Sequence, residues 1–256
     1  MGALSDSIGV VAANLDNWTP AGGTLAPALS KYDGALQSYW PCDDAAGPVS
    51  GGRLGLSVME PSATGVSYGS TAIIGTGTAI TLTKAGMLAS AKPGPTVGGA
   101  RFPQYTLGFW LKTSMAQPAA YATIFGWHDL TASAGRNMLA WSLIDGGFRV
   151  VEGALGSYPL WNPSWSTVAD GAVHHWALTY GGINDANYRL YFDGAAVGSV
   201  AASTLTEPTD TRHLLFGDGT YGLDCDISHL AYWEDALSAA AIAEIYNSGS
   251  GRFLQS

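Results

Sequence analysis

Charge and reactive side chains are scarce in this chain. Charged residues make up 12% of its 256 residues, lysine is nearly absent, and glutamate is confined to Glu60, Glu152, Glu207, Glu234 and Glu244. Against 11 Lys and Arg stand 20 Asp and Glu, a formal net charge of −9. So few cations cannot build the basic patch that nucleic acid or an anionic membrane surface requires, so neither is expected as a partner. No apolar run reaches the ~18–20 residues of a membrane span. The first residues, MGALSDSIGV, lack a basic n-region and a proper apolar core, so no secretory signal is expected. Two cysteines, Cys42 and Cys225, are too few for a disulfide framework or a zinc site, and two reduced thiols are the default. No contiguous Asp-x-Asp-x-Asp-Gly calcium loop occurs.

What the chain has in quantity is apolar and turn-forming residues. It is 47% hydrophobic and 11% aromatic, with 34 glycines, a composition that fits an all-β protein with many turns and a sizeable core. The clearest pattern runs from Val173 to Gly194. His174, Trp176, Leu178 and Tyr180 alternate with His175, Ala177 and Thr179; Tyr188, Leu190 and Phe192 then alternate with Arg189, Tyr191 and Asp193. Period two marks strands with one face on a core. Asp193-Gly194 supplies the positive-φ positions of a tight hairpin turn, and Ala195 to Val200 reads as the return strand.

The remaining segments read as follows. Leu4, Ile8, Val11 and Leu15 form one stripe of a short helix. Too short to stand alone in water, it docks either on its own sandwich or on a neighbouring subunit as an anchoring arm. Residues 1–30 are therefore set apart as arm and linker, and 31–256 as the main domain. Short strands are expected near 54–60, 64–68, 71–75 and 78–83, then at 105–112, 121–127, 137–144, 148–152, 214–217 and 223–233. Asp145-Gly146-Gly147 is a hairpin turn. Trp110 lies on the opposite face of its strand from Phe109 and Leu111, so that strand is central and covered on both sides. Ser238 is the N-cap of a closing helix, Leu237 and Ile242 form its hydrophobic staple, and Gly249 is its stop.

Four pieces in order carry a family resemblance: SYWPCDDAAG (38–47), YTLGFWLK (105–112), HHWALTY with YRLYFDGAAVGS (174–199), and ISHLAYWEDALSAAAIAEIY (227–246). Together they resemble laminin-G-like, concanavalin A-like domains. The resemblance implies an antiparallel two-sheet jelly-roll sandwich with a short C-terminal helix and an N-terminal arm. It also implies that the first strand lies beside the last, which makes a Cys42–Cys225 disulfide the alternative to two thiols. Members of the fold often hold calcium at a rim of loops. Here Asp129, Asp145, Asp218 and Asp224 are the candidates, although Ser228 stands where the family commonly has an aspartate. Solvated turn carboxylates are the competing reading, and no cofactor is required.

Catalysis is not expected. Sugar cleavage needs two carboxyl groups facing each other across a bond, and Asp224 with Asp226 is the nearest pattern, without a glutamate. His174 and His175 lie mid-strand and read as sheet-face histidines, as does His229. Binding is the better reading. Gly156 to Thr167 (GSYPLWNPSWST) reads as an aromatic-rich loop, and Trp127-His128-Asp129 is a second cluster. Tyr158, Trp161 and Trp165 would stack on a sugar face or a protein partner, with Asn162 or Asp129 taking hydroxyls. The competing reading has these rings plugging the sandwich.

The last strand and helix also resemble laminin-G-like domains of bacteriophage tail and capsid proteins. That implies a structural virion protein, a minor tail or capsid-decoration subunit. It would be made in the host cytoplasm, form a homo-oligomer and contact other virion proteins. The alternative is a carbohydrate-binding adhesin module that recognises host surface glycan; a glycoside hydrolase comes third.

Overall fold

The computed structural model describes residues 24–25, 36–42, 44–48, 59–62, 64–71, 73–74, 78–90, 104–119, 121–129, 136–142, 146–152, 156–182, 185–201, 212–217, 220–250 and 254–255. In chain order the strands are β1 (Thr24–Leu25), β2 (Leu36–Trp40), β3 (Met59–Pro61), β4 (Val66–Thr71), β5 (Thr78–Leu82), β6 (Met87–Ser90), β7 (Tyr105–Lys112), β8 (Tyr121–Asp129), β9 (Arg136–Ser142), β10 (Gly147–Glu152) and β11 (Gly156–Trp161). After a four-residue helix α1 (Trp165–Val168) come β12 (Val173–Gly181), β13 (Asp185–Phe192), β14 (Ala195–Ala201), β15 (Arg212–Gly217) and β16 (Cys225–Trp233). Helix α2 (Ala239–Tyr246) and β17 (Leu254–Gln255) finish the chain.

Two antiparallel sheets face each other. One runs β14-β13-β12-β7-β16-β5-β4, with β2 also paired to β16; the other runs β11-β10-β9-β8-β15-β6-β3. Their inner faces meet in a core that includes Phe109, Phe125, Phe148, Trp176 and Phe216. This is the jelly-roll sandwich the sequence predicts. β7 is buried on both faces, all but Lys112 at its end, because α2 covers the outer face of its sheet. Leu237, Ala241, Ile242 and Ile245 pack there on Trp110, Ala177, Tyr191 and Trp233. Ser238 caps α2 by accepting from the Ala241 N–H at 3.2 Å. The helix stops earlier than Gly249, at Asn247, whose φ of 48° and ψ of 50° are left-handed; asparagine tolerates that region.

Several expectations need correction. The segment 156–167 is not a loop. It is the edge strand β11 followed by α1. Pro159 obscures the strand in the sequence, but an edge strand has a side on which a missing N–H breaks no ladder bond. Strand β6 lies where none is expected, four residues after β5, while the expected strand at 71–75 shrinks to Thr71, the last residue of β4. Residues 54–58 lie outside the described residues, as do Leu4, Ile8, Val11 and Leu15. Within the arm segment, Thr24–Leu25 pairs with Leu254–Gln255 of the tail.

β2 does lie beside β16, yet Cys42 and Cys225 are buried free thiols rather than a disulfide. Beyond the pair of Trp40 with Leu230, Cys42 leaves β2 with a φ of 65°. A bulge in β16 where His229 takes a φ of 52° belongs to the same crowded strip. The imidazole is hydrogen-bonded to the Tyr39 hydroxyl.

The two sheets also touch along one side. Gly198 of β14 lies directly against the Leu160 carbonyl of β11, and a Cβ at 198 would collide with that oxygen.

Candidate functional site

Strand direction sorts the connections into two ends. Those at 83–86, 113–119, 162–172, 193–194 and 220–224 gather at one end, whereas β8 finishes at the other. Trp127 and Asp129 are therefore separated from Trp161, Asn162 and Trp165. The ladder that carries Trp161 across Phe148 and Trp141 reaches β8 at Ala122, five residues, or about 17 Å, from Trp127. The six ligand candidates do not form one site. Trp127 is registered opposite Leu214 and Asp129 opposite Arg212; their side chains lie outside the described residues.

At the first end a continuous aromatic and polar strip forms. β11 delivers Trp161, half-buried, with its ring 5.7 Å from Phe148, 6.1 Å from Trp176 and 5.1 Å from Phe192. Phe192, the last residue of β13, lies 4.5 Å from the ring of His174. His174 Nδ1 bonds to Asp193 Oδ2 at 2.8 Å and Nε2 to Asp170 Oδ1 at 3.1 Å. Asn162 is exposed beside Trp161, and its side chain lies over Gly147.

Local geometry explains why these groups hold still. Asp193 and Gly194 take φ of 49° and 76°, the left-handed pair of a two-residue hairpin turn. Asp193 is further pinned: its Oδ1 accepts the His175 N–H at 2.9 Å and its own N–H donates to the His175 carbonyl at 2.9 Å. Asp170 Oδ1 accepts the Ala172 N–H at 2.7 Å, an Asx turn leading into β12.

Charge in the strip is coupled. Burial acts to lower the His174 pKa, but the hydrogen bonds and negative charge of Asp193 and Asp170 outweigh it and hold it above its ordinary 6.5. The Ala172 N–H leads in holding the Asp170 carboxyl below its ordinary value; slight desolvation opposes it and His174 assists.

The other candidates are placed elsewhere or otherwise engaged. Trp165 is buried in the core and its indole N–H donates to the Met115 carbonyl at 2.9 Å. Tyr158 is half-buried on β11 opposite Val150. Asp224 ties two turns together: Oδ1 accepts the Lys84 N–H at 2.7 Å and its carbonyl accepts the Thr113 hydroxyl at 2.7 Å. Asp145 and Asp218 lie outside the described residues. Among the described residues no group of three or more His, Cys, Asp or Glu side chains could hold a metal ion. Gly65-Val66-Ser67-Tyr68-Gly69 spells the Gly-x-Ser-x-Gly pattern. Ser67 lies exposed on the edge strand β4, beside a bulge in its pairing with β5, not on the strand-to-helix elbow that activates such a serine.

Sequence reading singled out Trp161 and Asn162, which lie in this strip, but not Phe192, Asp170 or the contact of His174 with Asp193. The available signal was placement: Asp170 and Asp193 lie at the entry and exit of one antiparallel pair, beside the first inward residue.

The family model of the concanavalin A-like lectin/glucanases superfamily matches residues 90–243, more than half of the chain. The chain belongs to this superfamily. No curated protein matches it. Among solved structures, this superfamily member resembles domain 4 of AbnA, a GH43 extracellular arabinanase from Geobacillus stearothermophilus, in complex with arabinotriose. The TM-score is 0.57 at 16% identity, over 82% of this chain and 97% of that one. It also resembles the botulinum neurotoxin serotype D binding domain (TM-score 0.60, 15% identity, 87% and 53% covered) and Trypanosoma rangeli sialidase (0.56, 15%, 96% and 39%). At these identities the likeness shows the fold. The chain spans about half the length of the neurotoxin binding domain and less of the sialidase.

Proposed function

We propose that this superfamily member is a non-catalytic binding module, an adhesin-type domain that takes glycan at the rim formed by Trp161, Asn162, Phe192, Asp170, His174 and Asp193. The observation that carries the reading is the unbroken strip itself. A half-buried indole offers an apolar face, and an exposed amide and two partly exposed carboxylates stand beside it on rigid elements. That is the combination a sugar needs, with C–H faces packed on a ring and hydroxyls hydrogen-bonded at the edge. The likeness to domain 4 of AbnA, which covers nearly that whole domain and whose structure contains arabinotriose, supports glycan as the ligand class. The likeness to a toxin's binding domain supports surface recognition.

The placement of the acids supports binding without cleavage. A hydrolase holds its two carboxyls ~5–9 Å apart with the scissile bond between them. Asp170 and Asp193 instead share one imidazole, which occupies the space a sugar would need. Mounting on a bacteriophage particle, as a tail or capsid-surface subunit contacting other virion proteins, is carried by the resemblance of the last strand and helix alone. The binding role does not depend on it.

The test is a glycan array with the full chain, followed by titration calorimetry on any hit and on arabino-oligosaccharides. Binding is expected, with a loss of about tenfold or more for Trp161→Ala and a smaller loss for Asn162→Ala, whose exposed side chain leaves the fold intact. Silence at millimolar sugar sinks the proposal.

A further inference from the structure

We propose that His174 is a proton-operated latch on this rim, fastening the Asp170 turn to the β13–β14 turn when doubly protonated and releasing Asp170 when neutral. The latch deepens the glycan reading by giving the rim a regulator, and its consequence for affinity rests on that reading. The latch itself needs no ligand to be seen.

The argument begins with donors and acceptors. An imidazolium has two N–H donors; a neutral imidazole has one donor and one acceptor. Both His174 nitrogens face carboxylate oxygens, at 2.8 and 3.1 Å, and a carboxylate only accepts. Both contacts can be hydrogen bonds only while the ring carries both protons. Once one proton leaves, a lone pair faces an anion and one contact must go.

Geometry chooses which. Asp193 is held by three further ties: its Oδ1 to the His175 N–H, its backbone N–H to the His175 carbonyl, and the tight turn it shares with Gly194. Its side chain is 28% exposed. Asp170 has the longer bond to the ring and a side chain 44% exposed. Apart from His174, its carboxylate is held by N–H groups of its own turn, Ala172 first and its own backbone N–H after it. Asp170 is therefore the arm that swings free. The movement stays small, because Gly171 N–H donates to the Thr113 carbonyl at 3.0 Å and Trp165 is buried just upstream.

Other charges near the ring do not compete. On β12 the neighbouring His175 faces the opposite side of the sheet. On β13 the ring packed against His174 is Phe192. On β7, Lys112 is paired with Val173 and makes no bond to either carboxylate. On α2, the Tyr246 phenol feels the Asp193 charge but stays neutral near pH 7. The latch is thus closed between the lowered pKa of Asp170 and the raised pKa of His174. It opens as pH rises through the raised pKa of His174, and again as pH falls through the lowered pKa of Asp170.

The experiment is an NMR titration of the full chain without ligand, following the His174 ring and the Asp170, Gly171 and Ala172 amides from about pH 5 to 9. The ring and the Ala172 amide are expected to move together with one midpoint above 6.5. Asp170→Asn, an exposed change, is expected to lower the His174 midpoint and to abolish the matching Ala172 response. A ring that titrates while Ala172 stays still, or a midpoint unmoved by Asp170→Asn, overturns the latch. With a glycan identified by the array, affinity is expected to fall several-fold across the same midpoint. A latch seen in the titration with unchanging affinity overturns its regulatory role. Absence of any glycan binding overturns the reading of the rim and, with it, the regulation.

Discussion

His174 and His175 are neighbours on one strand with opposite fates. His174 opens toward the rim, between two carboxylates that raise its pKa. His175 points under α2, with its ring 5.0 Å from Trp110 and 6.1 Å from Tyr246. There burial, only partly offset by the charge of Asp193, pushes its pKa down to about 4. One sheet therefore has a face that serves stability and an edge to which we assign recognition. The alternation of β12 assigns adjacent residues to the two tasks. Residue type says nothing about which task a histidine has; its side of the strand does.

The comparison breaks most severely at Trp110. Trp110→Ala empties the space between β7 and α2 and is expected to lower stability by about 3–5 kcal/mol in urea unfolding. The coupled His174 titration should persist in whatever protein stays folded. If Trp110→Ala leaves stability unchanged, α2 is not a structural cover.

Acid sharpens the same contrast. His175 and His229 are both buried, each with its pKa lowered to about 4. Between their ordinary 6.5 and that value the unfolded chain binds protons the fold refuses. Stability should therefore fall as pH drops from about 6.5 to 4, by up to about 3 kcal/mol for each histidine. His174 and its partners act oppositely at the upper end, where their contribution fades with rising pH. His175→Leu should remove roughly half of the acid loss, read as the difference in unfolding free energy between the two pH values for each variant. An unchanged difference would mean that His175 is not refused its proton.

The smallest effect is at the cap of the cover. Ser238→Ala removes the acceptor for the Ala241 N–H and is expected to cost about 1 kcal/mol, measured as a shift in thermal midpoint, without altering the rim.

Much of the fold could be read from local chemistry. β12, β13 and their turn to β14 show in the alternation and in Asp193-Gly194. The double burial of β7 shows in Trp110 opposite Phe109, and α2 shows in its serine cap and leucine–isoleucine staple. β11 was concealed by Pro159 and by the half-burial of an edge strand, which blurs the period-two signal. β6 has too few residues to display a period. The rim was harder. Trp161 and Asn162 stand out by type, but Asp170, His174, Phe192 and Asp193 become a site only when a turn before β12 meets the turn after β13. Loop membership misassigned Trp165, whose ring the short α1 turns into the core. The cysteines show the same limit, since neighbouring strands do not bring every pair of their residues together, and both thiols stay free.

The glycine at 198 has one more consequence. With Leu160 pressed against it, the backbones of the two outermost strands meet with nothing compressible between them. The seam acts as a rigid spine, so the mouth beside it keeps a single gauge. On the proposed binding role, a mouth of fixed width selects by shape first and loses little free energy in closing around a ligand.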